Sequence, residues 1–167
     1  MNTPTLVATL IMAAIVALII AVVISVMIRG WRRRAERQAQ IVGTLPQLPD
    51  TVGPALVAPT KGLYLGSTLV PHWNDRIVVG DLGFRAKAVL TRYPEGIMLQ
   101  RTGAGPIWIP DDVIVAIRAE KNLVGKALTH EGILAIRWQL PSGTEIDTGF
   151  RADDRADYAK WLPEEVA

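Results

Sequence analysis

The stretch Leu134-Ala135-Ile136-Arg137-Trp138-Gln139-Leu140 carries the clearest secondary-structure pattern in the chain. Every second residue in it is large and apolar, and Arg137 and Gln139 fall between the apolar positions. Because side chains alternate between the two faces of a strand, this pattern predicts a strand with one buried face. Pro141-Ser142-Gly143 then predicts a turn, and Thr144 to Phe150 alternates again. Together the two segments predict a β-hairpin.

A second hairpin is predicted upstream. Phe84 to Tyr93 alternates apolar with polar residues, Tyr93-Pro94-Glu95-Gly96 has turn chemistry, and Ile97 to Arg101 returns. We expect further strands in four shorter segments: Leu63–Val70, Arg76–Val79, Ile107–Ile109 and Val113–Glu120.

The end of the domain has the period of a helix. Asp153 or Asp154 can cap it, and Tyr158, Trp161 and Leu162 share one face at spacings of three and four residues. Pro163 marks its end. About seven strands followed by one helix predict an α+β fold, a bent antiparallel sheet, sandwich or partial barrel with the helix over one opening.

A proline-rich segment precedes these strands. Pro46, Pro49, Pro54 and Pro59 rule out a continuous helix or a central strand there. We therefore expect a linker over 41–60, a folded domain over 61–163 and a short tail over 164–167. A flexible chain of the linker's length reaches about 25 Å, which would keep the domain close to whatever precedes it.

At the other end of the chain, Leu6 to Ile28 contains no charged residue. As a helix this run is about 34 Å long, enough to cross a hydrocarbon core of about 30 Å. The alternative, a cleaved signal peptide, wants a positive segment before a shorter apolar run. Residues 1–5 contain no Lys or Arg, so we predict an uncleaved transmembrane helix over 6–28.

The charges around this helix predict its orientation. Five arginines lie in the basic juxtamembrane segment 29–40, and Trp31 among them suits the headgroup region. The positive-inside rule places this side in the cytoplasm, with residues 1–5 outside a plasma (inner) membrane. The arginines can also attract anionic lipid. They are Arg29, Arg32, Arg33, Arg34 and Arg37.

The composition limits the partners and the chemistry. From Gln38 onward the acidic residues outnumber the basic ones, although the whole chain has a net charge of +2. The predicted domain therefore lacks the positive surplus of a nucleic-acid-binding protein, and we expect no nucleic acid as partner. The absence of cysteine excludes disulfides and thiol catalysis.

Several short segments resemble bacterial membrane proteins with a pleckstrin-homology-like (PH-like) domain, particularly actinobacterial ones with one N-terminal transmembrane helix. The resemblance covers about Lys61 to Leu162. It implies two roughly orthogonal antiparallel sheets capped by a C-terminal helix. Members of this group are frequently labelled export or transporter proteins, but one helix cannot form a solute pathway alone. The segments are Gly62-Leu63-Tyr64-Leu65-Gly66-Ser67-Thr68, Gly83-Phe84-Arg85-Ala86, Gly96-Ile97, Ile109-Pro110 before Val113-Ile114, Gly125-Lys126, and Trp138 with Asp147-Thr148-Gly149-Phe150-Arg151.

No catalytic, metal or cofactor site emerges from the sequence. His72 and His130 are far apart and have no acidic or histidine partner at metal-ligand spacing. Asp111-Asp112 follows a proline and is typical of a turn. Gly103-Ala104-Gly105-Pro106 lacks the Lys and Ser/Thr of a phosphate loop and predicts a hairpin turn.

Phosphoinositide binding is not expected either. Relatives that bind inositol phosphates place several Lys and Arg residues around the first hairpin. Here Ser67 to Asp75 contains no basic residue, and Arg76 stands alone after it.

Two tryptophans are candidates for a partner surface. Trp138 and Trp161 fit core positions by their period, whereas Trp73 falls in a predicted loop and Trp108 between two isoleucines. If exposed, Trp73 and Trp108 could contact a protein or the bilayer surface. A core position for each is the alternative.

These observations favour a membrane-anchored, non-enzymatic binding or scaffolding protein. Its PH-like domain would meet a protein partner, or a second copy of the chain, at the inner membrane face. The alternative is an accessory subunit of a membrane transport or envelope complex that associates through the transmembrane helix. Ala13, Ala17 and Ala21 form a small-residue stripe suited to such helix packing. An enzyme of unrecognised type is a third hypothesis, which no acid–base pair supports.

Overall fold

The computed structural model describes residues 2–123, 126–127 and 132–163. His130, Gly125 and the tail 164–167 lie outside the described residues. The chain divides into two compact units, Met1–Arg37 and Gln38–Ala167. Helix α1 (Thr3–Val42) contains the whole apolar run, and within the described residues it is the one helix long and apolar enough to cross a membrane.

The second unit is built on antiparallel strands. Among the described residues, seven of them form one open sheet, and two short ones, β6 (Asn122–Leu123) and β7 (Lys126–Ala127), pair separately. The seven are β1 (Val57–Leu69), β2 (Ala86–Tyr93), β3 (Gly96–Arg101), β4 (Ile107–Pro110), β5 (Ile114–Glu120), β8 (Ile133–Gln139) and β9 (Glu145–Ala152). Their order is β4-β3-β2-β1-β9-β8-β5. The predicted α+β class and the antiparallel sheet of about seven strands are confirmed.

The β8–β9 hairpin supplies much of the core, as its alternation predicted. Trp138 pairs with Ile146 and Leu134 with Phe150, and all four side chains are buried. Residues between them, such as Arg137, point to the opposite face, which we call the outer face of the sheet. The β2–β3 hairpin is also confirmed, with Tyr93 paired to Gly96 across the turn.

A chain of hydrogen bonds crosses this core. Trp138 Nε1 donates to Thr148 Oγ1 at 2.9 Å, and the hydroxyls of Thr148 and Ser67 lie 3.0 Å apart. Ser67 Oγ is 3.0 Å from the Tyr64 hydroxyl, which donates to the Leu82 carbonyl at 2.8 Å. Since an indole N–H only donates and a carbonyl only accepts, every hydroxyl in between must donate toward Leu82. The relay satisfies four buried polar side chains and fixes the 3₁₀ helix Gly80–Gly83 to the sheet.

The last helical element of the described residues is a 3₁₀ helix, Arg155–Lys160, instead of the predicted α-helix. Asp154 caps it by accepting a bond from the Ala156 amide at 2.9 Å. Tyr158 and Trp161 pack into the core as their spacing predicted, and each also bonds elsewhere. The Tyr158 hydroxyl donates to the Gly132 carbonyl at 2.7 Å, and Trp161 Nε1 donates to Thr60 Oγ1 at 3.0 Å. These bonds hold a short element that has little helical hydrogen bonding of its own.

Strand β1 begins at Val57, inside the segment we expected to be linker, and it includes Pro59. The pairing of β1 with β2 shifts register between Val57 and Thr60, and the pairing with β9 starts only at Gly62. Pro59 therefore lies at an irregularity, outside the part of β1 that has neighbours on both sides. A proline is tolerated there because no ladder hydrogen bond is required of it.

The compact unit also begins before Lys61, where we expected the domain to start. Gln38 and Val42 are buried, and the Ile41 carbonyl accepts bonds from Ser142 Oγ at 2.7 Å and Thr144 Oγ1 at 3.1 Å. The Gly53 amide lies 3.0 Å from a Glu95 carboxylate oxygen. Much of the proline-rich segment is thus fastened to the domain.

The segment Arg76–Val79, predicted to be a strand, is a loop with one isolated bridge between Thr68 and Arg76. The side chain of Gln38 holds this loop. The Gln38 side chain donates to the Arg76 carbonyl at 3.1 Å and accepts from the Val78 amide at 2.8 Å. A side-chain amide here takes the place of a neighbouring strand, since it offers one donor and one acceptor.

Candidate functional site

Strand β5 is an edge of the sheet. It pairs with β8 on one side, and no strand among the described residues pairs with its other side. The pairing with β8 shifts register between Ile114 and Ala116 and is regular from Ala116 to Glu120. Since the backbone groups of alternate residues in an edge strand point away from the sheet, this regular part of β5 presents a row of donors and acceptors. Val115 on this strand is 55% exposed, an unusual position for a large apolar side chain on a sheet edge.

An apolar groove of about 430 Å³ runs along this edge. Its other wall comes from the start of β1 and from the residues that follow the closing 3₁₀ helix. The groove's two cations are already paired, Arg92 with Asp111 and Lys160 with Asp157. Its apolar lining includes Leu56, Val57, Ile114, Trp161, Leu162 and Pro163.

A charged network lies on the outer face behind this edge. Asp147 accepts two bonds from Arg137, at 3.0 and 2.9 Å, and two from Arg118, at 3.2 and 2.8 Å. Arg118 is also paired with Glu120. Burial alone would raise the pKa of Asp147, but the bonds from Arg137 and Arg118 outweigh it and hold the pKa below its usual value. The network joins β5, β8 and β9 and carries no net charge.

At the other end of the sheet, two arginines hold the loop that contains Gly80–Gly83. Arg101 is almost fully buried, donates to the carbonyls of Asp81 and Gly105, and lies 5.0 Å from the centroid of the Tyr64 ring. Arg76 donates to the carbonyls of Leu65 and Gly83 at 3.0 and 2.9 Å. Burial raises the pKa of Tyr64 to about 12, so its hydroxyl stays protonated and acts as a structural donor.

The two candidate tryptophans have different environments. Trp73 is 42% exposed in the loop after β1, as a partner-contacting residue would have to be. Trp108 is only 5% exposed, which removes it from the candidate surface. Its ring lies against Gly96, where an added Cβ would come within 2.9 Å of Trp108 Cζ2. The missing side chain of Gly96 thus makes the space that buries Trp108.

The membrane-side candidates all lie on α1. Ala13, Ala17 and Ala21 are exposed there and fall on one side of the helix by their spacing. Trp31 is 63% exposed. The basic residues Arg29, Arg32, Arg33, Arg34 and Arg37 belong to the same helix.

Within the described ranges, no group of three acidic or histidine side chains could hold a metal ion. His72 is exposed in the loop after β1. Asp111 and Asp112 begin the 3₁₀ helix Asp111–Val113, as turn chemistry predicted, and Asp111 is paired with Arg92. The Gly103–Pro106 segment connects β3 to β4.

The resemblance implied two roughly orthogonal sheets capped by a C-terminal helix. The described residues form one open antiparallel sheet of seven strands and a closing 3₁₀ helix, which is consistent with a PH-like fold. The bacterial PH domain-like family matches residues 42–166 of the chain. The chain belongs to this family. The match begins at Val42, close to the first packed residues of the compact unit. A search of curated proteins gives no match.

The β5 edge of the PH-like domain was not among the residues predicted from the sequence. Val113 to Glu120 was expected to be a strand, but its place at the edge follows from the pairing of distant segments. One local signal was present. A strand with one buried face alternates apolar and polar residues, but Val115 lies between two other apolar residues, Ile114 and Ala116.

Proposed function

We propose that this protein is a membrane-anchored, non-enzymatic binding module whose PH-like domain holds an extended segment of a protein partner at the inner membrane face. The observation that supports it most is the β5 edge beside the apolar groove. The family match supports a PH-like domain, and the helix of membrane-spanning length supports its attachment to a bilayer.

The edge and the groove favour an extended peptide over a compact ligand. An added strand would pair with the outward backbone groups of β5 and place alternate side chains in the groove. Main-chain hydrogen bonds give such binding its affinity, and the groove selects apolar side chains. Leu56 and Val115, which border the groove on opposite walls, are 63% and 55% exposed, so apolar area is available for a partner to cover.

Photo-cross-linking in native membranes tests this proposal. A photoreactive amino acid at Val115 should cross-link to one protein in high yield, whereas the same residue at Phe84 should not. Phe84 is a matched control because it is also a large apolar side chain, 64% exposed, but does not line the groove. Val115→Lys should abolish recovery of that protein and Phe84→Lys should not, since a lysine protects an edge from strand addition.

Cross-linking at Val115 only to lipid, with a monomeric protein in mild detergent, would count against the proposal. Cross-linking to a second copy of the chain would identify the partner as the protein itself.

The orientation belongs to the same proposal, and the absence of cysteine makes it easy to test. Asn2→Cys should react with a membrane-impermeant maleimide in intact cells, and Asp153→Cys should react only after the cells are opened. The reverse pattern would place the domain outside.

The alternative function, an accessory subunit that associates through α1, rests on the spacing of Ala13, Ala17 and Ala21. Ala17→Leu should then dissociate a complex while Val115→Lys leaves it intact. The opposite result favours the groove.

A further inference from the structure

A second cavity, of about 460 Å³, lies on the outer face of the sheet, away from the groove. Three cations from three neighbouring strands line it: Lys61 from β1, Lys87 from β2 and Arg151 from β9. Asp153 is the acidic residue of the lining, so the cavity carries a surplus of two positive charges. We call it the basic cleft.

The register of the strands explains why these side chains meet. Leu63 is paired with Lys87 on one side and with Arg151 on the other. Lys61 precedes Leu63 by two residues, so its side chain lies on the same face. Neighbouring strands are about 4.8 Å apart, so the three cations surround Leu63 at close range. Leu63 and Val89 give the cleft an apolar floor.

These cations differ from the paired arginines of the sheet, Arg92, Arg101, Arg118 and Arg137, in having no partner among the described residues. Among residues 2–123, 126–127 and 132–163, no carboxylate or carbonyl pairs with the side chains of Lys61, Lys87 or Arg151. None of the three cations is directly opposite another, but all three lie around Leu63, so an anion bound between them would relieve a mild mutual repulsion.

We propose that the basic cleft binds a phosphate monoester group. Such a group carries a charge of about −1.5 to −2 near neutral pH, close to the surplus of the cleft. Arg151 can donate hydrogen bonds to two oxygens of the phosphate, and the two lysines act as point charges. A single carboxylate would be satisfied by Arg151 alone and would leave both lysines unmatched, whereas one phosphate group can meet all three cations. The cleft also lies apart from Ser67 to Asp75, the loop that lacks basic residues.

Lysine acylation followed by mass spectrometry tests this in the full chain, held in nanodiscs of phosphatidylcholine. One arm adds millimolar inorganic phosphate, with sodium chloride of equal ionic strength as reference. The other arm replaces part of the phosphatidylcholine with phosphatidic acid, a phosphate monoester lipid. Lys61 and Lys87 should become several-fold less reactive in at least one arm. Lys121, an exposed lysine that does not line the cleft, should not change.

The two arms distinguish the sources of the phosphate. Protection by inorganic phosphate indicates a soluble phosphate compound, and protection by phosphatidic acid alone indicates a lipid headgroup. If neither inorganic phosphate nor phosphatidic acid lowers the reactivity of Lys61 and Lys87, the proposal is overturned. Protection by poly-glutamate, with none by phosphate or phosphatidic acid, also overturns it and identifies an acidic peptide as the ligand.

Substitutions then test which residues form the site. Arg151→Gln should weaken the protection of Lys61 about tenfold in phosphate concentration, as expected for losing one charge-assisted interaction. Lys121→Gln removes one positive charge outside the cleft and should leave the protection unchanged. An equal effect of both variants would mean that phosphate responds only to net charge.

Discussion

Two groups of cations lie on the outer face of the same sheet, and they differ in what their charges meet. Arg118 and Arg137 surround the buried Asp147, and Glu120 completes a neutral network. Lys61, Lys87 and Arg151 surround Leu63, with a surplus of positive charge. The first group stabilises the sheet through its own partners, whereas the second is arranged for a partner from outside. Counting basic residues could not have separated them.

The largest effect should come from breaking the neutral network at its centre. Asp147→Asn removes the carboxylate that two partly buried guanidinium groups share, so that Arg137 loses its partner and Arg118 keeps only Glu120. We expect a loss of about 3 kcal/mol in the free energy of unfolding. Urea titration of the full chain in detergent, followed by tryptophan emission, measures it. Asp153→Asn in the basic cleft is the control and should change stability little. Similar losses in both variants would remove the distinction between the two groups.

Gly62→Ala should have the next largest effect, because it disturbs the floor under the basic cleft. A Cβ there would lie 2.2 Å from the Arg151 carbonyl oxygen and 2.6 Å from Phe150 Cζ, so β1 and β9 would have to separate. Overpacking of this kind costs about 1–3 kcal/mol. The same urea titration checks it, and phosphate protection of Lys61 should fall as well. Gly30→Ala adds a Cβ in open space and should leave the domain's unfolding unchanged.

The neutral network should also make stability depend on pH in a particular direction. The pKa of Asp147 is lowered by folding, so its contribution is complete above the unfolded value of about 3.9. It is lost as the pH falls through the folded value. The difference in unfolding free energy between the native chain and Asp147→Asn should thus be constant near neutral pH and shrink in acid. A difference that grows in acid would contradict a lowered pKa.

The smallest effect should come from the basic cleft, and it should have the opposite sign. In phosphate-free buffer of low salt, Lys87→Gln removes repulsion and should raise stability by less than about 0.5 kcal/mol. Salt screens the repulsion, so the gain should vanish at high ionic strength. Arg137→Gln, the matched change in the neutral network, should lower stability in the same titration. Destabilisation by Lys87→Gln would show that this lysine has an internal partner.

The local order of the sequence was sufficient to predict the hairpins but not their arrangement. The alternation from Leu134 to Phe150 and the turn before Gly96 predicted four strands, because turn chemistry and side-chain period are properties of neighbouring residues. The pairing of β1 with β9 joins segments far apart in the chain, and it decides that β5 is an edge. Both candidate sites depend on that pairing, so neither could be recognised from spacing.

Two outcomes depend on contacts that the local sequence does not contain. Pro59 lies in the segment that was expected to be a linker but belongs to strand β1, and Trp108, a candidate for either a partner surface or the core, is buried. A register shift accommodates Pro59, and the missing side chain of Gly96 accommodates Trp108. Both effects depend on another segment of the chain: the strand that pairs with β1, and the strand that contains Gly96. The alternation of apolar and polar residues near Pro59 or Trp108 does not contain this information.

The hydrogen bonds of Gln38 also shorten the tether. Only nine residues lie between Ile28, the end of the apolar run, and Gln38, which is fastened to the domain. Even a fully extended chain of that length spans at most about 35 Å. In the membrane-anchored protein that we propose, a connection of this length would expose the domain to anything fixed at the membrane surface at an effective concentration on the order of 10 mM. An interaction with a millimolar Kd would therefore be largely saturated at the membrane and would disappear on dilution into detergent.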